Sequence, residues 1–246
     1  MENKEGRDGK DIVMNDYTEA LDHLSRSDKA LRALIKRVGP CLLRARNHKS
    51  PFEALMRSIT YQQLNGTAAS TILGRVKALY PGRRFPRPAD ILATSDEQLR
   101  GAGLSRAKVA AIKDLAAKAI SGIVPARRGV STLSDEDIVQ RLTVVRGIGP
   151  WTVEMMLIFY LGRPDVWPVT DYGVRKGFAR IYGLGDLPSP KELLAHGEKW
   201  RPYRSIAAWY CWRAAELKEE ADKIKNPKPE LRRESEVRKI RNQKSA

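Results

Sequence analysis

Apolar residues recur along this chain at helical spacing, and no stretch shows the convincing alternation that a half-buried strand requires. Ala30, Leu31, Leu34, Ile35 and Val38 form one such stripe and predict a helix over 27–38, with Ser27 as candidate N-cap and Gly39 just past the end. Ser50-Pro51-Phe52-Glu53 and Ser189-Pro190-Lys191-Glu192 each combine a capping box with proline at the first helical position, so both are expected to open helices. Ala68, Ala69, Ile72, Leu73, Val76 and Leu79 make a further amphipathic face, which Pro81, Pro86 and Pro88 end in a surface loop. Helices are also predicted over 95–100, 105–121, 134–145, 150–161 and 172–182, with a long one after Pro202. The fold class is therefore all-α. The segment 1–16 lacks periodicity and is expected to be a loose polar arm, and 223–246 a charged, flexible tail with no readable role.

Composition narrows the partners. A chain of 246 residues, 42% of them hydrophobic, can bury a sizeable core as one domain or two small lobes. Its 45 Lys and Arg against 29 Asp and Glu leave a net charge of +16, more than solubility alone calls for. Nucleic acid is the expected partner. A membrane is not, because no apolar run approaches the ~20 residues that span a bilayer and the N-terminus is too polar for a signal peptide. An intracellular, soluble, monomeric protein is expected, in the cytoplasm or nucleoid of a bacterium or the nucleus of a eukaryote. Cys41 and Cys211 are the only cysteines, and with three scattered histidines they offer neither a disulfide framework nor zinc spacing. No cofactor is required.

The segment Leu142-Thr143-Val144-Val145-Arg146-Gly147-Ile148-Gly149-Pro150-Trp151-Thr152 reads as helix, glycine turn and second helix. Glycine lets a foreign backbone come close, and the second helix offers free N–H groups and a positive dipole end, which suit a phosphate. The local pattern alone fits an ordinary helix–helix turn equally well; the surplus charge favours DNA.

The run 145–152, followed about twenty residues later by Pro168-Val169-Thr170-Asp171-Tyr172, resembles the helix-hairpin-helix/Gly-Pro-Asp superfamily of DNA glycosylases. Tyr61-Gln62-Gln63-Leu64-Asn65-Gly66 and Trp200-Arg201-Pro202-Tyr203-Arg204-Ser205, with Trp209 and Trp212 beyond, are similar to its AlkA or MAG branch, the DNA-3-methyladenine glycosylase II type. The N-terminal β-rich domain of some members has no counterpart in these residues, so the compact form of the family is expected. The resemblance implies two helical lobes around a central cleft, one built from 17–48 and 166–222 and the other from 49–165, with the hairpin unit at about 138–161. It also implies excision of alkylated purines such as 3-methyladenine and 7-methylguanine from double-stranded DNA.

Asp171 falls at the family's catalytic aspartate. On pattern alone an aspartate ahead of a helix is a cap. The two roles are compatible, since a helix N-terminus favours the ionised form and the reaction wants a carboxylate and not a general acid. An alkylated purine already carries positive charge, so no second carboxylate is expected. Trp151 occupies the place where bifunctional relatives carry a Schiff-base lysine, and an indole cannot be that nucleophile, so a monofunctional enzyme is expected. The resemblance puts Trp151, Trp212, Tyr172 and Met155 at the base pocket, Met155 replacing an aromatic residue of some relatives. An unplaced tryptophan is more often core, and Trp209 is left there. Tyr172 fits the pocket or the core equally. Leu64 matches the intercalating wedge with Gln63 beside it, although a leucine there also fits a helix end on the core side. The resemblance further implies that Gly147, Ile148 and Gly149 hold a DNA phosphate. The carbonyls of Thr143, Val145 and Ile148 would hold a Na+ or K+ ion, and Ser105 and Lys108 would reach the backbone of the other strand. The rival readings are an inert helix-hairpin-helix binding module and a bifunctional glycosylase/lyase for oxidised bases.

Overall fold

A computed structural model describes residues 17–45 and 50–225, and among them the chain is helical with no strand. The N-terminal pair is α1 (Thr18–Ser27) and α2 (Lys29–Val38). A middle group follows: α3 (Pro51–Tyr61), α4 (Gly66–Ala78), α5 (Pro88–Ala93), α6 (Asp96–Gly101), α7 (Arg106–Ile120), α8 (Arg127–Ser131), α9 (Asp135–Leu142) and α10 (Pro150–Met156). The described chain closes with α11 (Tyr172–Tyr182), α12 (Pro190–Gly197) and α13 (Arg204–Lys225). A π-helical turn, Leu157–Leu161, extends α10, and a 3-10 turn, Glu198–Trp200, follows α12.

Serine caps set five of the starts among the described helices. Ser95, Ser105, Ser134 and Ser189 each accept the N–H three residues on, and at Ser95 and Ser189 the residue at the third position reaches back to complete the box. Ser50 makes only half of its expected box: its hydroxyl accepts the Glu53 N–H, but the Glu53 carboxylate turns to the Arg57 guanidinium at 2.9 Å. The expected cap at Ser27 is also corrected. Ser27 is the last residue of α1 and donates back to the Leu24 carbonyl, while Asp28 caps α2 by accepting the N–H groups of Ala30 and Leu31 at 2.9 and 3.0 Å. α1, α5 and α8 were not expected, and Pro88 opens α5 instead of belonging wholly to the loop. α13 runs to Lys225, so the expected tail begins in helix; 1–16 and 226–246 lie outside the described residues.

Two groups of helices form the lobes of the expected all-α fold. In one, α11 lies along α13 and both pack on α2, with α1 beside it. In the other, α7 packs on α3 and α5, and α10 on α3 and α9. Gly177 allows the closest crossing: a Cβ there would fall 1.8 Å from the Cys211 carbonyl oxygen. One continuous apolar core runs through both groups, with Leu31, Leu55, Ile112, Ile138, Trp200 and Tyr210 fully buried. No helix among the described residues is long and apolar enough to cross a membrane.

Candidate active site

The carboxylate of Asp171, 9% exposed, sits at the start of α11. Its Oδ1 accepts the Val174 N–H at 2.8 Å, which makes it the helix cap, and also the indole N–H of Trp212 at 2.8 Å. Its Oδ2 accepts the indole N–H of Trp151 at 2.7 Å. Three N–H donors and a helix dipole on one carboxylate are an arrangement that suits an anion. Three separate stretches of sequence supply it: the first turn of α10, the start of α11 and the middle of α13.

The two tryptophans therefore do something that sequence reasoning did not foresee, gripping the carboxylate by their edges. Trp151 remains 45% exposed while its N–H is committed. Trp212 stacks on Phe159, with ring centroids 5.5 Å apart and planes at 26°, and Phe159 was not singled out from the sequence. Phe159 also lines a cavity of about 210 Å³ with Arg57, Ser58, Tyr61, Met155 and Met156. Of the four residues expected at the base pocket, Met155 lines this cavity, whereas Trp151, Trp212 and Tyr172 do not. Tyr172 is 64% exposed, which removes it from the core. Trp209 is buried, its ring edge-on to Tyr210 at 4.9 Å.

Sequence reasoning also missed a second carboxyl group. Glu154, one turn after Trp151 on α10, has a buried Oε2 with no hydrogen-bond partner. Burial, and then the charge of Asp171, push its carboxyl up to about 7. Glutamate at an otherwise apolar helix position was the available signal.

The loop between α3 and α4 carries Gln63 and Leu64. Leu64 is 39% exposed, against the core-side reading, and Gln63 takes a left-handed conformation with φ 57°, unusual for a residue with a side chain. Asn65 caps α4 through the Ala68 N–H at 2.8 Å. In the hairpin, Gly147 has φ 76° and Gly149 is the N-cap of α10, while Val145 and Ile148 are buried and joined by an Ile148 N–H to Val145 carbonyl bond of 3.0 Å. Lys108 departs from expectation: its ammonium turns to the carbonyls of Thr60 and Gln62 at 2.7 and 2.9 Å, which removes it from the direct backbone-contact set. The Ser105 hydroxyl accepts the Lys108 N–H as a helix cap.

Residues 56–202 match the HhH-GPD superfamily of base excision DNA repair proteins. The chain is 37% identical to DNA-3-methyladenine glycosylase 1 of Schizosaccharomyces pombe over 221 residues, 89% of this chain and 96% of that protein. The fold superposes on a structure of the 3-methyladenine DNA glycosylase Mag1 of that organism in complex with abasic DNA, with a TM-score of 0.71 and 38% identity over 79% of this chain and 95% of that one. A DNA-3-methyladenine glycosidase from Bacillus halodurans superposes with a TM-score of 0.74 at 35% identity, covering 82% of this chain and 91% of its own.

Proposed function

The chain belongs to the HhH-GPD superfamily of base excision DNA repair proteins, and from that premise we propose that it is a monofunctional glycosylase that flips alkylated purines out of double-stranded DNA and hydrolyses the bond joining base to sugar. The observation that carries this reading is the convergence of the Trp151 and Trp212 indole N–H groups and the α11 N-terminus on one carboxylate, that of Asp171.

As the C1′–N bond breaks, its electron pair leaves with the base and positive charge develops on the deoxyribose. An anion held beside that charge lowers the barrier. At about 4 Å and an effective dielectric of about 20 the attraction is roughly 4 kcal/mol, or about a thousandfold in rate if realised only in the transition state. Water then adds its oxygen to C1′ and gives up a proton, leaving an abasic site. With tryptophan at position 151 there is no amine to form a Schiff base, so strand cleavage does not accompany base release.

The remaining roles follow the same reading. The exposed indole of Trp151 attracts a cationic base, Leu64 fills the gap that the base leaves, and Gln63 meets the orphaned partner strand. Gly147 and Gly149 turn the hairpin towards a phosphate. The Val145 carbonyl keeps a second lone pair beyond its bond to Ile148, so with the carbonyls of Thr143 and Ile148 it would hold a Na+ or K+ ion, which would supply positive charge for that phosphate. With DNA as partner, the protein works where genomic DNA lies, in the nucleoid of a bacterium or the nucleus of a eukaryote.

The test incubates wild type and Asp171→Asn with duplex carrying 3-methyladenine or 7-methylguanine, and measures free base and alkali-labile breaks. The expected result is free base with breaks only after alkali, both reduced about a thousandfold in the variant. Breaks without alkali would mean lyase chemistry, and duplex binding without release of either base would mean an inert module.

A further inference from the structure

One face of α7 touches both of the elements assigned to DNA. Lys108, Ala111 and Asp114 are spaced by three along it, so they share a side of the helix. At one end the Lys108 ammonium closes on the Thr60 and Gln62 carbonyls, groups that the end of α3 leaves without helical partners. At the other end the Asp114 Oδ2 accepts the Arg146 N–H in the hairpin turn at 2.8 Å. Between them the Ala111 methyl lies 3.5 Å from where a Cβ on Gly147 would stand. The Gln62 side chain completes the circuit by donating to the Gly147 carbonyl at 3.0 Å. A single rigid helix thus holds the wedge loop and the hairpin at one spacing.

We propose that Lys108 is a positioning residue for base extrusion: acting from α7 with Asp114 and Gln62, it sets the reach of Leu64 relative to the phosphate that the hairpin holds. This rests on the assignment of Leu64 as wedge and of the hairpin as phosphate binder. The ammonium suits the task because a loop that pushes against a stacked duplex is loaded along its own backbone. Two charge-assisted bonds to consecutive stretches of that backbone resist the load better than packing of an exposed loop could. The left-handed Gln63 lies between the Gln62 carbonyl they hold and Leu64.

Base release from duplex needs the wedge, whereas release from a single strand carrying the same lesion does not. The experiment therefore compares single-turnover release of 7-methylguanine from the two substrates in wild type, Lys108→Met, Lys108→Arg, Gln62→Leu and Leu64→Ala, with thermal unfolding of each. For Lys108→Met the duplex-to-single-strand rate ratio is expected to fall by roughly tenfold or more, the scale of one lost charge-assisted bond. Lys108→Arg should recover most of the ratio, and Gln62→Leu should shift it in the same direction as Lys108→Met. Equal loss on both substrates would make Lys108 a general stabiliser and overturn the proposal. So would a normal ratio in Lys108→Met while Leu64→Ala loses its own. A normal ratio in Leu64→Ala would overturn the wedge assignment, and with it the proposal. Should Lys108→Met fail to fold, Gln62→Leu decides by the same ratio.

Discussion

Helix capping needs one acceptor oxygen, and Asp171 makes more contacts than that. Val174 uses Oδ1 for the cap, but the 2.7 Å bond from Trp151 to Oδ2 does nothing for α11. It fixes the plane of the carboxylate and so the side from which it faces a sugar. Trp151→Phe keeps an aromatic face and removes only that N–H. Losing a hydrogen bond to a charged group costs about 1.5–3 kcal/mol, so kcat on 7-methylguanine is expected to fall roughly tenfold to a hundredfold, and thermal stability should drop by no more than that same amount. An equal kcat in the phenylalanine variant, read by single-turnover assay, would reduce Trp151 to a stacking surface. Glu154 calls for a different measurement. Its carboxyl, ordinarily near 4.5, is pushed up to about 7 by burial and by Asp171. The folded protein therefore keeps a proton that the unfolded chain gives up between those values, and stability falls as pH climbs through that window before levelling. Glu154→Gln removes the titration, so its melting temperature should exceed that of wild type at pH 8 and come close to it at pH 5. The cost would be tolerated at an active site if a second anion helps there. In that case release of a cationic base should speed up in wild type as pH rises through about 7 and stay flat in the variant.

Helix by helix, legibility followed the chemistry of the ends. Serine starts at 95, 105, 134 and 189 were readable because a hydroxyl that accepts an N–H three residues on is a local interaction, independent of the rest of the fold. Asp28 was passed over for Ser27 because both are good caps and only the preceding helix, α1, decides which of them is free. α5 and α8, at six and five residues, are too short to show a period, and the local signal at α5, Asp90 accepting the Arg87 N–H at 2.8 Å behind Pro88, sits inside a proline-rich stretch that reads as loop. Asp171, Leu64 and the hairpin could be named from motif order. The indole grip, the buried Glu154 and the inward turn of Lys108 could not, because each depends on which helices meet. The crossing of α11 on α13 is such a meeting: Gly177 reads as an ordinary helical glycine, yet any side chain there would collide with the Cys211 carbonyl at 1.8 Å. Gly177→Ala ought to gain helix propensity and still destabilise by about 3 kcal/mol or more, since backbone must shift to admit the methyl. Denaturant unfolding measures the sign. A stabilised variant would mean that the two helices slide apart freely, and the placement of Trp212 opposite Asp171 would lose its support.

Across the whole molecule, we propose that 17–48 with 166–222 act as one body and 49–165 as the other, with the carboxylate of Asp171 and the indole of Trp151 meeting across their boundary. Within the first body, Asp28 ties three elements together: it caps α2 and accepts from Tyr182 of α11, from Lys199 at 2.8 Å and from Trp200 at 3.3 Å. Burial by itself would raise its carboxyl, but the bonds from His196, Lys199, Tyr182 and the Leu31 N–H outweigh it and hold the group far below the usual carboxylate range. Stability from this group is thus complete above its unfolded value near 3.8 and is lost as pH falls further, so Asp28→Asn should lower the melting temperature at pH 7 and by progressively less in strong acid. The second body carries the hairpin, and the surplus of +16 acts on it as a field and not as a contact. A surface that neutralises only two phosphates loses roughly tenfold in affinity between 50 and 200 mM salt, because the released counterions must be recaptured. Binding to undamaged duplex should weaken at least that much over this range by fluorescence anisotropy. The slope should be the same in Asp171→Asn, since the carboxylate acts on the sugar of a flipped nucleotide and not on the backbone. A shallower slope in that variant would mean that Asp171 helps to organise the duplex-binding face itself, and its effect on rate could then no longer be assigned to chemistry alone.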